Sequence, residues 1–245
     1  MTKVIIGAGG RGTRVHVLTG NIIPKPLCRI SKRTPHSLIA YQLKKVSEAG
    51  FKDVFILFDF DWQIHLFNQL VRIKEVPNLR YTTGTARWEH PLHLFRNRKV
   101  IDFIGRDDFV LTYGDLFYSR DILRGMKSLA EKNNTSVASL MYSKNDRWKD
   151  AIKKITFSKD DDRRVVEVEL TKKGNFIMHP PFFFQNRALE TIKEELACDP
   201  SETTPLLKRL IKKKQLSVFR PDFLVNMNTP EDIAVMERGI LKHAK

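Results

Sequence analysis

Apolar runs and helical periodicity alternate along the first half of the chain. Residues 3–6, carrying Val4, Ile5 and Ile6 and closed by Gly7, predict a short strand. Residues 37–49 predict a helix, with Ser37 as its cap and Gly50 as its stop. A second apolar run, 53–58, reads as a buried strand, and 62–74 as a helix. Residues 79–82 are a candidate strand, and 91–104 are mostly helical. A further strand at 109–112 ends at Gly114-Asp115. Ser119 is then expected to cap a helix running to about residue 132, before a strand at 135–142. Strands that alternate with helices imply crossover connections and a mainly parallel sheet.

The second half is richer in strands. Residues 154–157 and 164–170 flank a turn at 158–162. A third strand, 176–184, is expected to break at Pro180-Pro181, because proline cannot donate to a ladder. Its Phe182-Phe183-Phe184 end reads as a buried strand, not a platform for stacked bases. Helices follow at 188–197 and 204–213, then short strands at 216–219 and 223–226. Thr229-Pro230-Glu231-Asp232 opens the last helix with a capping Thr, Pro at the first position and two acids in the first turn. No repeat, low-complexity stretch or linker divides the 245 residues, so one domain, 1–245, is expected.

Composition narrows the class. Hydrophobic residues make up 42%, enough for a sizeable core, and the apolar runs are too short to span a bilayer. The N-terminus lacks the long apolar stretch and cleavage site of a signal peptide. Cys28 and Cys198 make no disulfide framework, so a cytoplasmic protein is expected. The net charge of +15 allows a polyanionic small molecule or nucleic acid as partner. No basic helix interleaved with aromatics and no zinc-finger spacing supports nucleic acid, which is not the expected ligand. No membrane partner is expected, and self-association into a homo-oligomer is left open.

The charge is unevenly placed. No Asp or Glu precedes Glu48, and that acid-free stretch holds Gly7-Ala8-Gly9-Gly10-Arg11-Gly12-Thr13-Arg14 and Pro24-Lys25-Pro26. Glycines let backbone amides approach phosphate oxygens and form an anion nest. Arg11, Arg14 and Lys25, the last held between prolines, sit there with no carboxylate to compete for them, the chemistry of a polyphosphate site. Gly7, Gly9 and Gly12 match the dinucleotide spacing G-x-G-x-x-G, but Gly20, Pro24 and Pro26 forbid the long helix that motif needs. The ribose carboxylate is also missing. Gly7 and Gly12 fit the Walker spacing, yet Thr13-Arg14 stands where Lys-Ser or Lys-Thr is required. Asp115, at the end of a predicted parallel strand, can hold Mg²⁺ against phosphates. The alternative is a turn residue or a helix cap.

The run Gly9-Gly10-Arg11-Gly12-Thr13-Arg14, then Leu18-Thr19 and Pro24-Lys25-Pro26-Leu27, resembles the signature of the sugar nucleotidyltransferases, the nucleoside-diphosphate-sugar pyrophosphorylases. Gly84-Thr85-Ala86, Gly114-Asp115 and Thr229-Pro230-Glu231-Asp232 resemble later segments of that family, so the likeness spans roughly the whole chain. It implies a three-layer α/β/α fold with a mixed, mainly parallel sheet, a Rossmann-like nucleotidyltransferase fold of GT-A type. It divides the domain into a nucleotide-binding half, about 1–142, and a sugar-phosphate-binding half, about 143–245. The implied reaction joins an NTP and a sugar-1-phosphate, or a similar phosphoester, to give an NDP-sugar and pyrophosphate.

The resemblance implies roles residue by residue. Arg14 and Lys25 are catalytic; Ala8, Gly9, Gly10, Arg11, Gly12, Thr13, Gly84 and Thr85 bind nucleotide. Asp115 binds Mg²⁺, and Asn226 stands where many members carry a second metal-binding Asp. The segments that bind the sugar phosphate in the family have no clear counterpart; Lys172 and His179 are the nearest candidates for substrate binding. Gly7 replaces a usual Leu, Val17 a usual Pro, and the Gln that often reads the base is missing. The missing Gln and the Asn at position 226 favour an alternative: a non-catalytic nucleotide- or sugar-nucleotide-binding regulator on the same fold. The residues after the last helix are too few for the C-terminal β-helix of some relatives, so acetyl transfer is not expected.

Overall fold

A computed structural model describes residues 1–9, 20, 23–30, 36–71, 76–84, 91–142, 155–159, 165–170, 176–198 and 204–243. Its strands are β1 (Thr2–Gly7), β2 (Asp53–Phe58), β3 (Asn78–Thr83), β4 (Asp108–Tyr113), β5 (Leu116–Tyr118), β6 (Ser136–Tyr142), β7 (Ile155–Lys159), β8 (Val165–Leu170), β9 (Phe176–Phe184), β10 (Leu216–Phe219) and β11 (Leu224–Asn226). The helices are α1 (Leu38–Glu48), α2 (Asp61–Leu70), α3 (Arg98–Ile104), α4 (Arg120–Asn133), α5 (Ala188–Ala197), α6 (Thr204–Lys212) and α7 (Pro230–His243). Short 3₁₀ turns lie at Lys25–Leu27 and Pro91–Arg96. Among the described residues no helix is long and apolar enough to cross a membrane.

The main sheet has the order β10-β6-β9-β4-β1-β2-β3. β1 pairs in parallel with β2 and β4, β2 with β3, and β10 with β6. β9 runs antiparallel to both β4 and β6. β7 and β8 form an antiparallel pair joined to β9 through Ile155 and Phe176. β5 and β11 make a separate two-stranded ribbon.

The central strands are apolar throughout because both faces are covered. Ile5, Phe55, Leu57, Phe109 and Leu111 point into a core with the Pro91–Arg96 turn, α3, α5 and α6. Their neighbours Val4, Ile6, Val54, Ile56, Phe58 and Val110 point into an opposite core with α1, α2 and α4. In α4, Ile122, Met126 and Ala130 recur at helical spacing on that buried face. The result is the expected three-layer α/β/α sandwich with a mixed, mainly parallel sheet. A smaller apolar cluster, with Phe117, Met227 and Met236, seats the β5–β11 ribbon and α7.

Four local expectations change. β9 does not break at the prolines: Pro180 and Pro181, joined by a cis peptide bond, stay within the strand. The ladder with β6 instead shifts register between Ala138 and Ser139, which absorbs the missing donors. Ser119 occupies the N-cap of α4, but its side chain makes no capping hydrogen bond. α2 ends at Leu70, and Val71 is already extended. The last strand starts at Leu224, not at residue 223. Ser37 does cap α1, accepting from Ala40 N at 3.4 Å, and Gly50 behind it has φ +89°, the left-handed backbone that favours glycine after a helix.

Candidate active site at the strand ends

β1, β2, β3 and β4 end at one edge of the sheet, and their ladders run on into the turns. Ala8 N donates to Leu57 O, Gly84 N to Phe58 O and Gly114 N to Gly7 O, each at 2.8 Å. These bonds draw the turns carrying Ala8-Gly9, Asp59, Gly84 and Gly114-Asp115 together. The carboxyl ends of strands in open α/β sheets are where ligands sit.

Each glycine of this edge makes room for a specific neighbour. A Cβ on Gly7 would lie 2.9 Å from the Tyr113 ring, so glycine stands there because the ring covers β1. A Cβ on Gly84 would lie 2.5 Å from Asn97 Nδ2. Asn97 caps α3 by accepting from Lys99 N at 3.0 Å. A Cβ on Gly114 would lie 2.7 Å from Pro26 Cγ. Pro26 therefore packs on the β4 turn, and the Pro24-Lys25-Pro26 segment is pinned over the strand ends.

That packing places Lys25. Its turn is closed by Leu27 N donating to Pro24 O (2.8 Å) and Cys28 N to Lys25 O (3.0 Å). Lys25 is only 8% exposed. Its Nζ donates to Asn228 Oδ1 at 3.2 Å and lies 3.7 Å from Asp115 Oδ2. A buried ammonium beside a carboxylate is the arrangement that tolerates desolvation. Cys28, one turn on, is buried, and desolvation pushes its thiol up to about 11 against a smaller lowering by Lys25. It is therefore no nucleophile near neutral pH.

Asp115 is fixed from two sides. Gln42 of α1, 1% exposed, donates through Nε2 to Tyr113 O at 2.7 Å and to Leu116 O, clamping both arms of the turn. From the other side Met227 N donates to Asp115 O at 2.9 Å, and Asn226 pairs with Leu116 across the ribbon. The start of α7 holds this strand end in place: the Asp232 carboxylate accepts from Asn228 N at 2.8 Å and Thr229 N at 2.7 Å. The Thr229-Pro230-Glu231-Asp232 segment thus acts as a helix start that delivers Asn228 to Lys25.

His179 reaches the same edge because β9 runs against β4. Its Nδ1 donates to Pro180 O at 2.9 Å, and its Nε2 contacts Asn226 Nδ2 at 3.3 Å. Desolvation holds its pKa below 6.5, against opposing effects of the Pro180 carbonyl and the Asp115 charge. Both ring nitrogens are thus engaged within the protein. His179, a candidate for substrate binding from the sequence, here contacts Asn226.

Of the residues singled out from sequence, Ala8, Gly9, Lys25, Gly84, Asp115, His179 and Asn226 lie at this edge. Gly10, Arg11, Gly12, Thr13, Arg14, Thr85 and Lys172 fall outside the described residues. Sequence reasoning missed three others. Asp59 follows β2 and faces Gly9 so closely that a Cβ there would lie 2.5 Å from each carboxylate oxygen. The acid-free N-terminal stretch therefore does meet a nearby carboxylate besides Asp115. The rule that found Asp115, an acid directly after a buried strand, also points to Asp59. Gln42 shows as a polar residue on the buried face of a helix. Asn228 sits beside the Thr-Pro-Glu-Asp helix start.

A hard divalent cation takes oxygen ligands. The Asp115 carboxylate is one. Asn226 Oδ1 could supply another; it is buried with no hydrogen-bond partner among the described residues. Among the described residues no group of three or more His, Cys, Asp or Glu could hold a metal ion. One carboxylate and one amide oxygen suit Mg²⁺, which is usually held by one or two carboxylates together with substrate phosphates.

A glycine-lined edge with a buried lysine and a carboxylate, on a three-layer α/β sandwich, defines a protein built to handle phosphorylated ligands. The chain belongs to the nucleotidyl transferase family, whose model matches residues 3–223. Comparison with curated protein sequences gives no significant match. Solved structures share the fold. A UDP-glucose pyrophosphorylase from Acinetobacter baumanii superposes with a TM-score of 0.74 at 14% identity, covering 100% of this chain and 95% of that one. A UDP-glucose pyrophosphorylase complexed with UDP-glucose gives 0.73 at 17% identity, covering 99% of each chain. A Bacillus anthracis protein provisionally described as a glucose-1-phosphate thymidylyltransferase gives 0.73 at 18% identity, covering 97% of this chain and 94% of that one.

Proposed function

We propose that the protein joins an NTP to a sugar-1-phosphate or a similar phosphoester, releasing pyrophosphate and an NDP-sugar. The observation that carries this reading is the Lys25–Asp115–Asn228 cluster at the strand ends, with Lys25 buried and Pro26 packed on Gly114. An oxygen of the sugar phosphate attacks the α-phosphorus, and the bond from that phosphorus to the bridging oxygen of pyrophosphate breaks. Little covalent work falls to the protein, so positioning and charge stabilisation dominate. Lys25 orients the incoming phosphate. The Ala8 to Thr13 loop and Arg14 hold the β- and γ-phosphates, and Gly84-Thr85 pack on the nucleoside. Asp115 and Asn226 would hold Mg²⁺, which when bound neutralises phosphate charge. The nucleotide falls to the half before about residue 142 and the sugar phosphate to the half after it, where Lys172 is a candidate contact. The setting is cytoplasmic.

The test is pyrophosphate release across four NTPs and a panel of sugar-1-phosphates with Mg²⁺. Release with a preferred pair is expected. One observation favours a second reading, a nucleotide-binding regulator without turnover: neutral Asn226 occupies a position where a charged ligand would strengthen metal binding. Nucleotides that raise the melting temperature while no pair releases pyrophosphate would establish that reading instead.

A further inference from the structure

We infer that His179 is a positioning residue that aims the Asn226 amide, so that a neutral side chain serves as a metal ligand. The inference rests on the proposed metal role of Asp115 and Asn226. An Asp at position 226 would present an oxygen whichever way it turned. An Asn presents an oxygen only if its amide is held in one of two orientations. The chain supplies the device that selects it.

The device is a relay of hydrogen bonds with one allowed polarity. The Pro180 carbonyl can only accept, so the His179 Nδ1 facing it at 2.9 Å carries the proton. The neutral ring then has a bare Nε2, which can only accept. The Asn226 group 3.3 Å away must therefore be the NH₂, as it is here. The oxygen is turned the other way. It is buried and has no hydrogen-bond partner among the described residues. Such an atom destabilises the fold unless something else satisfies it. Pairing of Asn226 with Leu116, and of Met227 N with the Asp115 main-chain O, brings the backbone of this residue next to that of Asp115, whose charge acts on His179. A cation between nucleotide and Asp115 is the group that fits an orphaned oxygen there. Outer partners that fix ligand orientation commonly contribute as much to a metal site as the ligands themselves.

Mn²⁺ affinity, read by electron paramagnetic resonance with NTP present, tests this without relying on turnover. His179→Phe removes the acceptor and should weaken Mn²⁺ binding by about 10- to 100-fold. In the Asn226→Asp background the same substitution should have little effect, because a carboxylate needs no aiming. Equal losses in both backgrounds, or no loss in either, would overturn the inference. If the wild-type chain binds no Mn²⁺ with nucleotide, the metal site itself fails and the inference with it. Nitrogen NMR of the wild-type protein tests the relay where a variant does not fold. A protonated Nδ1 and a bare Nε2 are expected at His179; the opposite tautomer overturns the proposal.

Discussion

The Lys25 ammonium lies 3.7 Å from an Asp115 oxygen, although the two residues sit on turns far apart in sequence. Pro26 against Gly114 holds those turns together. The pair sets a cation and an anion side by side, and in the proposed reaction the first would serve a phosphate and the second a metal. Lys25→Ala should cut pyrophosphate release at least ~100-fold, about 2.7 kcal/mol in the barrier. Asp115→Asn should do the same. Lys25→Arg should not restore the rate, because a planar guanidinium does not fit where a buried ammonium points. Wild-type kcat/KM in Lys25→Ala, with an unchanged melting temperature, would remove Lys25 from the site.

Gly9 and Asp59 form a steric pair. Gly9 has no left-handed backbone to protect; what demands glycine is space, because a Cβ would fall 2.5 Å from each Asp59 oxygen. Asp59 cannot simply swing away with its backbone: its N–H donates to Gln63 Oε1 at 2.9 Å, and Gln63 is fully buried. Gly9→Ala should therefore weaken nucleotide binding, seen as a smaller ligand-induced thermal shift. The loss should shrink by about 1–2 kcal/mol in an Asp59→Ala background. A Gly9→Ala penalty that is the same in both backgrounds would show that the clash is not with Asp59.

The strands were legible because apolar runs such as Val54–Leu57 are buried on both faces, and such runs need no partner information to be read. Gly7, Gly84 and Gly114 announced an edge where chains approach closely. What each approaches was not legible: Tyr113, Asn97 and Pro26 come from other elements, and no local pattern encodes that distance. The prolines of β9 misled for a similar reason. Local chemistry says they break a ladder, yet the register shift at Ala138 and Ser139 lets the strand continue. The Thr-Pro-Glu-Asp segment is legible as a helix start, but its consequence is not. Only the folded β5–β11 ribbon shows that Asp232 holds Asn228 over Lys25.

At the opposite end of β1, Asp107 accepts from the Met1 ammonium at 2.8 Å and pairs with Lys3 Nζ at 2.9 Å. The hydrogen bond from the N-terminal ammonium, then that from Lys3, holds its carboxyl below the usual 3.8. The unfolded chain therefore takes up a proton at a higher pH than the native one. Stability from this pair is present above pH 3.8 and is lost as pH falls through the lower native value. Asp107→Asn should lower stability at neutral pH by up to about 1 kcal/mol, because the pair is partly exposed and screened. Urea midpoints of variant and wild type should converge on acidification below the ordinary carboxylate range. A gap that stays constant with pH would mean that the side chain acts by packing or neutral hydrogen bonding.

Gln42 joins stability to chemistry. Its Nε2 is shared by the carbonyls of Tyr113 and Leu116, the two residues that flank Gly114-Asp115. Gln42→Leu keeps the volume but strips both carbonyls of their donor. Two buried acceptors left unpaired should cost about 2–4 kcal/mol, read as a lower urea midpoint at unchanged slope. The turn should also loosen, moving the Asp115 carboxylate away from Lys25. At a temperature where the variant is still folded, pyrophosphate release should fall about tenfold or more, since small misplacements of positioning groups carry large rate penalties. Lost stability with an unchanged rate would mean that the Asp115 turn is held without Gln42. An unchanged midpoint would mean that other groups satisfy both carbonyls.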